Sequence, residues 1–109
     1  MAEGVQKVNN ENFTAEVEKH KGLVLVDFSA SWCPPCRMLG PIIEEVSRAV
    51  VGRAKVVALD VDESGDIASR FNVLNVPTMI FFKNGKEVRR LVGVAPKDKI
   101  IEQIDEVAK

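Results

Sequence analysis

Apolar and polar positions follow two different periods along this chain, and the switches between them mark five strand-like and four helix-like segments. Val5 to Val8 is a short strand candidate. Phe13 and Val17 stand four apart, the spacing of one helical face, with Asn10 or Asn12 placed to cap that helix and Gly22 to stop it. Leu23-Val24-Leu25-Val26-Asp27-Phe28 is a nearly continuous apolar run rich in branched residues, as a central parallel strand covered on both faces requires. Met38, Leu39, Ile42, Ile43, Val46 and Val50 fall on one stripe of a longer helix. Gly40-Pro41 lies inside it, and the hydrogen bond that proline removes predicts a kink near residues 37 to 41.

Lys55 to Val61 is a second strand rich in branched residues, and Ser64 is placed to cap a short helix with Ile67, Ala68 and Phe71 inward. Thr78 to Phe82 and Glu87 to Val92 flank Lys83-Asn84-Gly85-Lys86. Asn-Gly accepts positive φ at both turn positions, so this stretch reads as a hairpin. Pro96 opens a last helix at its first position, with Ile100, Ile101, Ile104 and Val107 on its apolar face. The order β-α-β-α-β-α-β-β-α is that of an α/β chain. Parallel right-handed crossovers come first and an antiparallel hairpin follows, giving a central mixed five-stranded sheet with four helices on both faces.

Composition narrows the function. The chain has 109 residues, 46% of them hydrophobic, enough for one core, so residues 1–109 read as a single domain. Charged residues make up 28% with a formal net charge of -1, which speaks against both a nucleic-acid binder and a disordered chain. No apolar run reaches the ~20 residues of a membrane span. The start, Met1 to Lys7, has no basic stretch followed by an apolar one, so the expected location is cytoplasmic.

The two cysteines, Cys33 and Cys36, are too few and too close for a structural framework. They sit where an apolar strand gives way to a helix. A helix start offers unpaired N–H groups and positive partial charge, which favour a thiolate, the form that attacks disulfides. Pro34 and Pro35 have no N–H, so Cys36 supplies the nearest backbone donor, and Cys36 lies one turn further in, where more shielding is expected. The competing reading is half of a metal site. Zinc takes four ligands, and only His20 remains, in another helix, where it reads as a surface residue. Asp27 interrupts an apolar strand. It is either a carboxyl whose pKa burial raises or a polar strand end bonded to a helix start. The acidic and basic residues of the helices, such as Glu44, Glu45, Arg48, Lys97 and Glu102, read as solvated faces.

The set Val26-Asp27-Phe28, Trp32-Cys33-Pro34-Pro35-Cys36-Arg37-Met38, Pro41, Val76-Pro77-Thr78, Phe82-Lys83-Asn84-Gly85 and Val92-Gly93 resembles the thioredoxin family, in order and over about Val5 to Val107. The resemblance implies the thioredoxin fold. It implies Cys33 as nucleophile, Cys36 as resolving thiol, Asp27 as buried proton acceptor and Pro77 as a cis-proline facing the disulfide. An apolar rim of Trp32, Pro34, Leu74, Val76, Gly93 and Val94 would then bind substrate, with the backbone of Val76 pairing to an extended segment. Three positions depart from the family's usual pattern. Pro34 stands where glycine is usual, Ser29 where tryptophan is common, and Ala58 where many members carry lysine.

The implied function is reduction of protein disulfides through a reversible Cys33–Cys36 couple and a mixed-disulfide intermediate. A separate thioredoxin reductase would supply electrons, with no bound cofactor or metal and no nucleic-acid or membrane partner, and an isolated small domain favours a monomer. A Gly-rich dinucleotide fingerprint is missing from the sequence. The alternatives are a disulfide oxidase or isomerase, a redox-dependent binding subunit of a partner enzyme, and a metal-bridged dimer. Insulin turnover, a glutathione titration and elemental analysis separate them.

Overall fold

In the computed structural model, which describes residues 5–109, strands β1 (Gln6–Val8), β2 (Leu23–Ser29), β3 (Lys55–Asp60), β4 (Thr78–Lys83) and β5 (Lys86–Val92) form one sheet. Met1 to Gly4, part of the stretch read for a leader, lie outside the described residues. The strand order is β1-β3-β2-β4-β5. β1, β3 and β2 run parallel, while β4 and β5 add antiparallel. The helical segments are a short π-helical turn (Thr14–Glu18), α1 (Pro34–Ala49), α2 (Gly65–Arg70) and α3 (Lys97–Ala108).

β2 is central, and every residue from Leu23 to Phe28 is buried, as its unbroken apolar run requires. Because side chains alternate along a strand, β2 feeds two separate cores. Leu25 packs in a cluster with Leu39, Ile43 and Val46 of α1, Met79 and Phe81 of β4, and Ile100 and Ile104 of α3. Val24, Val26 and Phe28 pack with Phe13, Val17, Ile67, Ala68, Ile80 and Phe82. On that second face Phe13, Phe71 and Phe82 form a ring trio with centroids 5.5, 5.8 and 5.2 Å apart, in tilted and edge-on contacts.

The hairpin turn has the expected left-handed pair, Asn84 at φ 51° and Gly85 at φ 84°. It leans on the first helical turn: a Cβ on Gly85 would sit within 2.2 Å of the Glu18 carbonyl oxygen. Asn84 also makes a reciprocal pair with Gly22. The Asn84 N–H donates to the Gly22 carbonyl and the Gly22 N–H donates to Asn84 Oδ1, both at 2.9 Å.

Four local expectations are corrected. The first helical turn has Phe13 at its N-cap and takes no side-chain cap from Asn10 or Asn12. In the turn before it, Asn9 Oδ1 accepts from the N–H of Glu11 (2.9 Å) and of Asn12 (3.0 Å), and Asn12 Oδ1 accepts from the Asn9 N–H (2.7 Å). Asn10 Oδ1 instead accepts from the Ile67 N–H (3.3 Å), and Ser64 Oγ accepts from the Asn10 N–H (3.2 Å) rather than capping its own helix. These two bonds tie α2 to the loop before the first helical turn. Met38 is exposed, because Leu39, Ile43 and Val46 already fill the stripe and Met38 is turned about 100° from Leu39. Pro96 is the N-cap, extended at φ -68° and ψ 154°, so α3 starts at Lys97.

Candidate active site

Cys33 is the N-cap of α1, in extended backbone, and Pro34 and Pro35 fill the next two positions. A helix begins with N–H groups that no carbonyl within the helix can reach, and prolines have none to leave bare. The first available donor is therefore Cys36, and its N–H donates to Cys33 Sγ at 3.2 Å. Sulfur here does what a Ser or Asp oxygen does at other helix starts. Cys33 and Cys36 are joined as a disulfide, with Cα atoms 5.2 Å apart. Ala30 packs with both, and Val61 and Val76 lie against the cluster. The two cysteines are 3% and 6% exposed, so Cys36 is no better shielded than Cys33, contrary to the expectation from its deeper place in the helix. The reason is that Cys33 tucks under the loop before β4: its Sγ lies 3.7 Å from the Val76 carbonyl oxygen.

The Val76–Pro77 bond is cis. Pro77 is buried, and its carbonyl accepts from the Gly93 N–H at 2.8 Å. Gly93 holds φ 94°, a backbone shape that favours glycine. Thr78 Oγ1 donates to the Asn75 carbonyl at 2.6 Å and steadies the turn from the other side. Val76, Pro77 and Gly93 are thus brought together beside Cys33. Around them Trp32 (64%) and Leu74 (88%) are strongly exposed, and Pro34 and Val94 are exposed as well. No hydrogen bond ties Leu74 or Val94 to the cysteines; they occupy the loops on either side of the Pro77–Gly93 contact.

Asp62 was not anticipated. The Trp32 Nε1–H donates to Asp62 Oδ2 at 2.8 Å, and the Asp62 N–H donates to Asp60 Oδ1 at 2.8 Å. The signal was present in the chain, since an indole N–H needs an acceptor and Asp60-Val61-Asp62-Glu63 follows β3 directly.

Asp27 lies in β2 between Ala58 of β3 and Met79 of β4. It is 4% exposed, and its Oδ1 has no hydrogen-bond partner. That geometry favours the first of the two sequence readings, an isolated buried carboxyl, over a carboxylate bonded to a helix start. Burial alone pushes its pKa up, from 3.8 to about 7. The row it belongs to continues outward through Ala58 to Lys7 of β1. Lys7 Nζ is held by Glu63 Oε1 at 2.8 Å. Among the described residues, no three His, Cys, Asp or Glu side chains cluster as metal ligands, and no helix is long and apolar enough to cross a membrane.

The thioredoxin family profile matches residues 4–106. The thioredoxins of Staphylococcus aureus (strain N315) and Staphylococcus haemolyticus (strain JCSC1435) are each 41% identical to this chain over 101 residues, which is 93% of this chain and 95% of each relative. Members of the family act on disulfide-containing substrates and work with a thioredoxin reductase. A cysteine pair joined across one helical turn beside a five-stranded mixed sheet, in a chain that the family profile matches over residues 4–106, places the chain in the thioredoxin family as a thiol-disulfide oxidoreductase that reduces protein disulfides.

Proposed function

We propose that reduction runs through the Cys33-Pro34-Pro35-Cys36 segment, with Cys33 as the attacking sulfur. The observation that carries this is the Cys36 N–H aimed at Cys33 Sγ at 3.2 Å from an otherwise donor-free helix start. A donor and the helix's positive end stabilise a thiolate at Cys33, and among the described residues no N–H donates to Cys36 Sγ. The Cys33 thiolate attacks one sulfur of a substrate disulfide, forms a mixed disulfide and releases the first substrate thiol. The Cys36 sulfur then attacks Cys33, closes the internal disulfide and releases the second. Asp27 accepts the Cys36 proton; a carboxyl with a pKa of about 7 exchanges protons readily near neutral pH.

The substrate segment lies along Val76, Pro77 and Gly93, with Trp32, Pro34, Leu74 and Val94 as an apolar rim. Electrons are stored only in the two sulfurs, so a separate reductase must return them. The protein acts as one domain over residues 1–109, as a cytoplasmic monomer. The test is trapping: Cys36→Ser accumulates a mixed disulfide with disulfide-containing protein substrates through Cys33, while Cys33→Ser accumulates little with them. Equal trapping by both variants overturns the assignment.

A further inference from the structure

The end of the sheet remote from the cysteines holds a cavity of about 370 Å³, within the range of small-molecule sites. Its lining comes from two short stretches, 20–23 at the start of β2 and 52–55 at the start of β3. Space is left there because both stretches turn on glycine. Gly22 (φ 104°) and Gly52 (φ 85°) have left-handed backbone, and a Cβ on either would meet no atom within 4 Å. Half of the eight lining residues are His, Lys or Arg and none is acidic, in a chain whose formal net charge is -1.

The basic residues of the lining are not equivalent. Lys55 Nζ is spent on the Glu16 carbonyl oxygen (2.9 Å) and on Glu16 Oε1 (2.7 Å). Arg53 Nη1 pairs with Asp105 Oδ1 at 2.5 Å and Nη2 reaches the Ala49 carbonyl oxygen at 3.5 Å, which leaves the Nε–H without an acceptor among the described residues. The Lys21 ammonium and the His20 ring have no hydrogen-bond partner among the described residues. Glu16, the acid on which His20 acts electrostatically, is already held by Lys55. The two ion pairs cancel the charges of Lys55 and Arg53, and the charge of Lys21 remains.

Three unlike donors therefore border one cavity: an ammonium, an imidazole and the unused edge of a guanidinium. A carboxylate offers such a set two oxygens, whereas a phosphate monoester offers three strong acceptor oxygens and up to two negative charges. Leu23 and Ala54 supply the uncharged part of the lining. We propose that this cavity binds a small phosphate monoester, with its phosphate on Lys21, His20 and Arg53 and its organic part against Leu23 and Ala54. The length of β2 puts it roughly 20 Å from the cysteines, at ~3.3 Å per residue. The ligand leaves disulfide exchange sterically untouched, and the site does not depend on the roles assigned to Cys33 and Cys36.

The test is an amide-shift titration of the oxidised wild-type protein with phenyl phosphate, set against benzoate and inorganic phosphate. Phenyl phosphate should give saturating shifts at Lys21, Gly22, Gly52 and Arg53. Benzoate, which lacks the third oxygen, and inorganic phosphate, which lacks the ring, should each bind about tenfold more weakly. Shifts that do not saturate, or that centre elsewhere, overturn the site; equal binding of either comparison probe overturns the ligand class. Lys21→Glu should weaken phenyl phosphate binding about tenfold or more, the scale of one charge-assisted hydrogen bond. Lys99→Glu makes the same charge change on α3 and should leave binding as it is. Equal weakening by both variants would show diffuse attraction to net charge and overturn the proposal. Lys21 is exposed and unpartnered, so its variant should keep the wild-type amide spectrum outside the site. Insulin reduction should run at the same rate with saturating phenyl phosphate as without it, and inhibition would place the ligand beside the cysteines and overturn the site.

Discussion

The two faces of β2 are built from the same strand and have opposite characters. Val24, Val26 and Phe28 point into an apolar cluster that carries the Phe13, Phe71 and Phe82 trio, and the buried polar side chain in the same rows, Thr78, is hydrogen-bonded. Leu25 and Asp27 point to the other, where α1 and α3 cover an equally buried core that holds a carboxyl whose Oδ1 has no hydrogen-bond partner. One face is optimised for packing. The other gives up packing energy at Asp27, which shares a row with Ala58, and Ala58 lines a cavity together with Cys36. Stability and chemistry are divided between faces of one strand, separated by a period of two residues.

The sharpest way to break this comparison is to damage the packed face. Phe82→Ala should cost about 3–5 kcal/mol, because it removes the ring that both Phe13 and Phe71 contact and leaves a cavity. Urea unfolding measures it, and a loss below ~1 kcal/mol would mean that the trio repacks. Next in size, and opposite in sign, is Asp27→Asn. The folded carboxyl titrates at about 7 against an ordinary 3.8. It therefore holds its proton in the folded state after the unfolded chain has released it. The wild-type protein should lose stability as pH rises from ~4 through ~7, by up to about 4 kcal/mol in total, while Asp27→Asn should be flat over that range. Near pH 3 the two should be nearly equal. The variant should also slow the resolving step between pH 6 and 9 in single-turnover kinetics; unchanged kinetics would make Asp27 purely structural.

Smaller effects sharpen the picture at the site. Thr78→Val should cost about 1 kcal/mol in thermal unfolding by removing the bond to the Asn75 carbonyl. Smallest is Pro34→Gly. A proline at the first helical position narrows the freedom of the opened dithiol and favours closure. Glycine there should make the reduction potential less negative by about 10–30 mV, read by equilibration with a glutathione buffer. A shift to more negative values would show that proline hinders closure.

How much of this could be read from the chain depends on the range of the interaction. The run Leu23 to Phe28 and the Asn84-Gly85 turn are local signals, and each produced the element it announced. The cysteine pair stood out as thiols at a helix start, and Asp27 as a carboxyl in an apolar strand with two readings open, whereas the cis bond before Pro77 was implied only by the family resemblance. Caps were less legible. Asn9, Asn10 and Asn12 are chemically alike, and Asn10 is drawn away by Ile67 and Ser64, which lie 57 and 54 residues from it. The burial of Cys33 and the cavity of about 290 Å³ that Cys36, Ser29 and Ala58 line were not legible at all. A void is a property of three strands in register plus a helix, and no single residue announces it.

The reciprocal bonds between Gly22 and Asn84 join positions 62 residues apart. In polymer terms, such a contact formed alone would have to close a very large ring. Here the ring is already closed by the pairing of Leu23 with Lys83 next door, so the latch adds two hydrogen bonds with almost no further loss of chain freedom. It fastens the end of β2 remote from the cysteines. Local opening of the sheet should therefore begin elsewhere, and the Gly22 and Asn84 amides should exchange their hydrogens as slowly as those of the β2 and β4 interior.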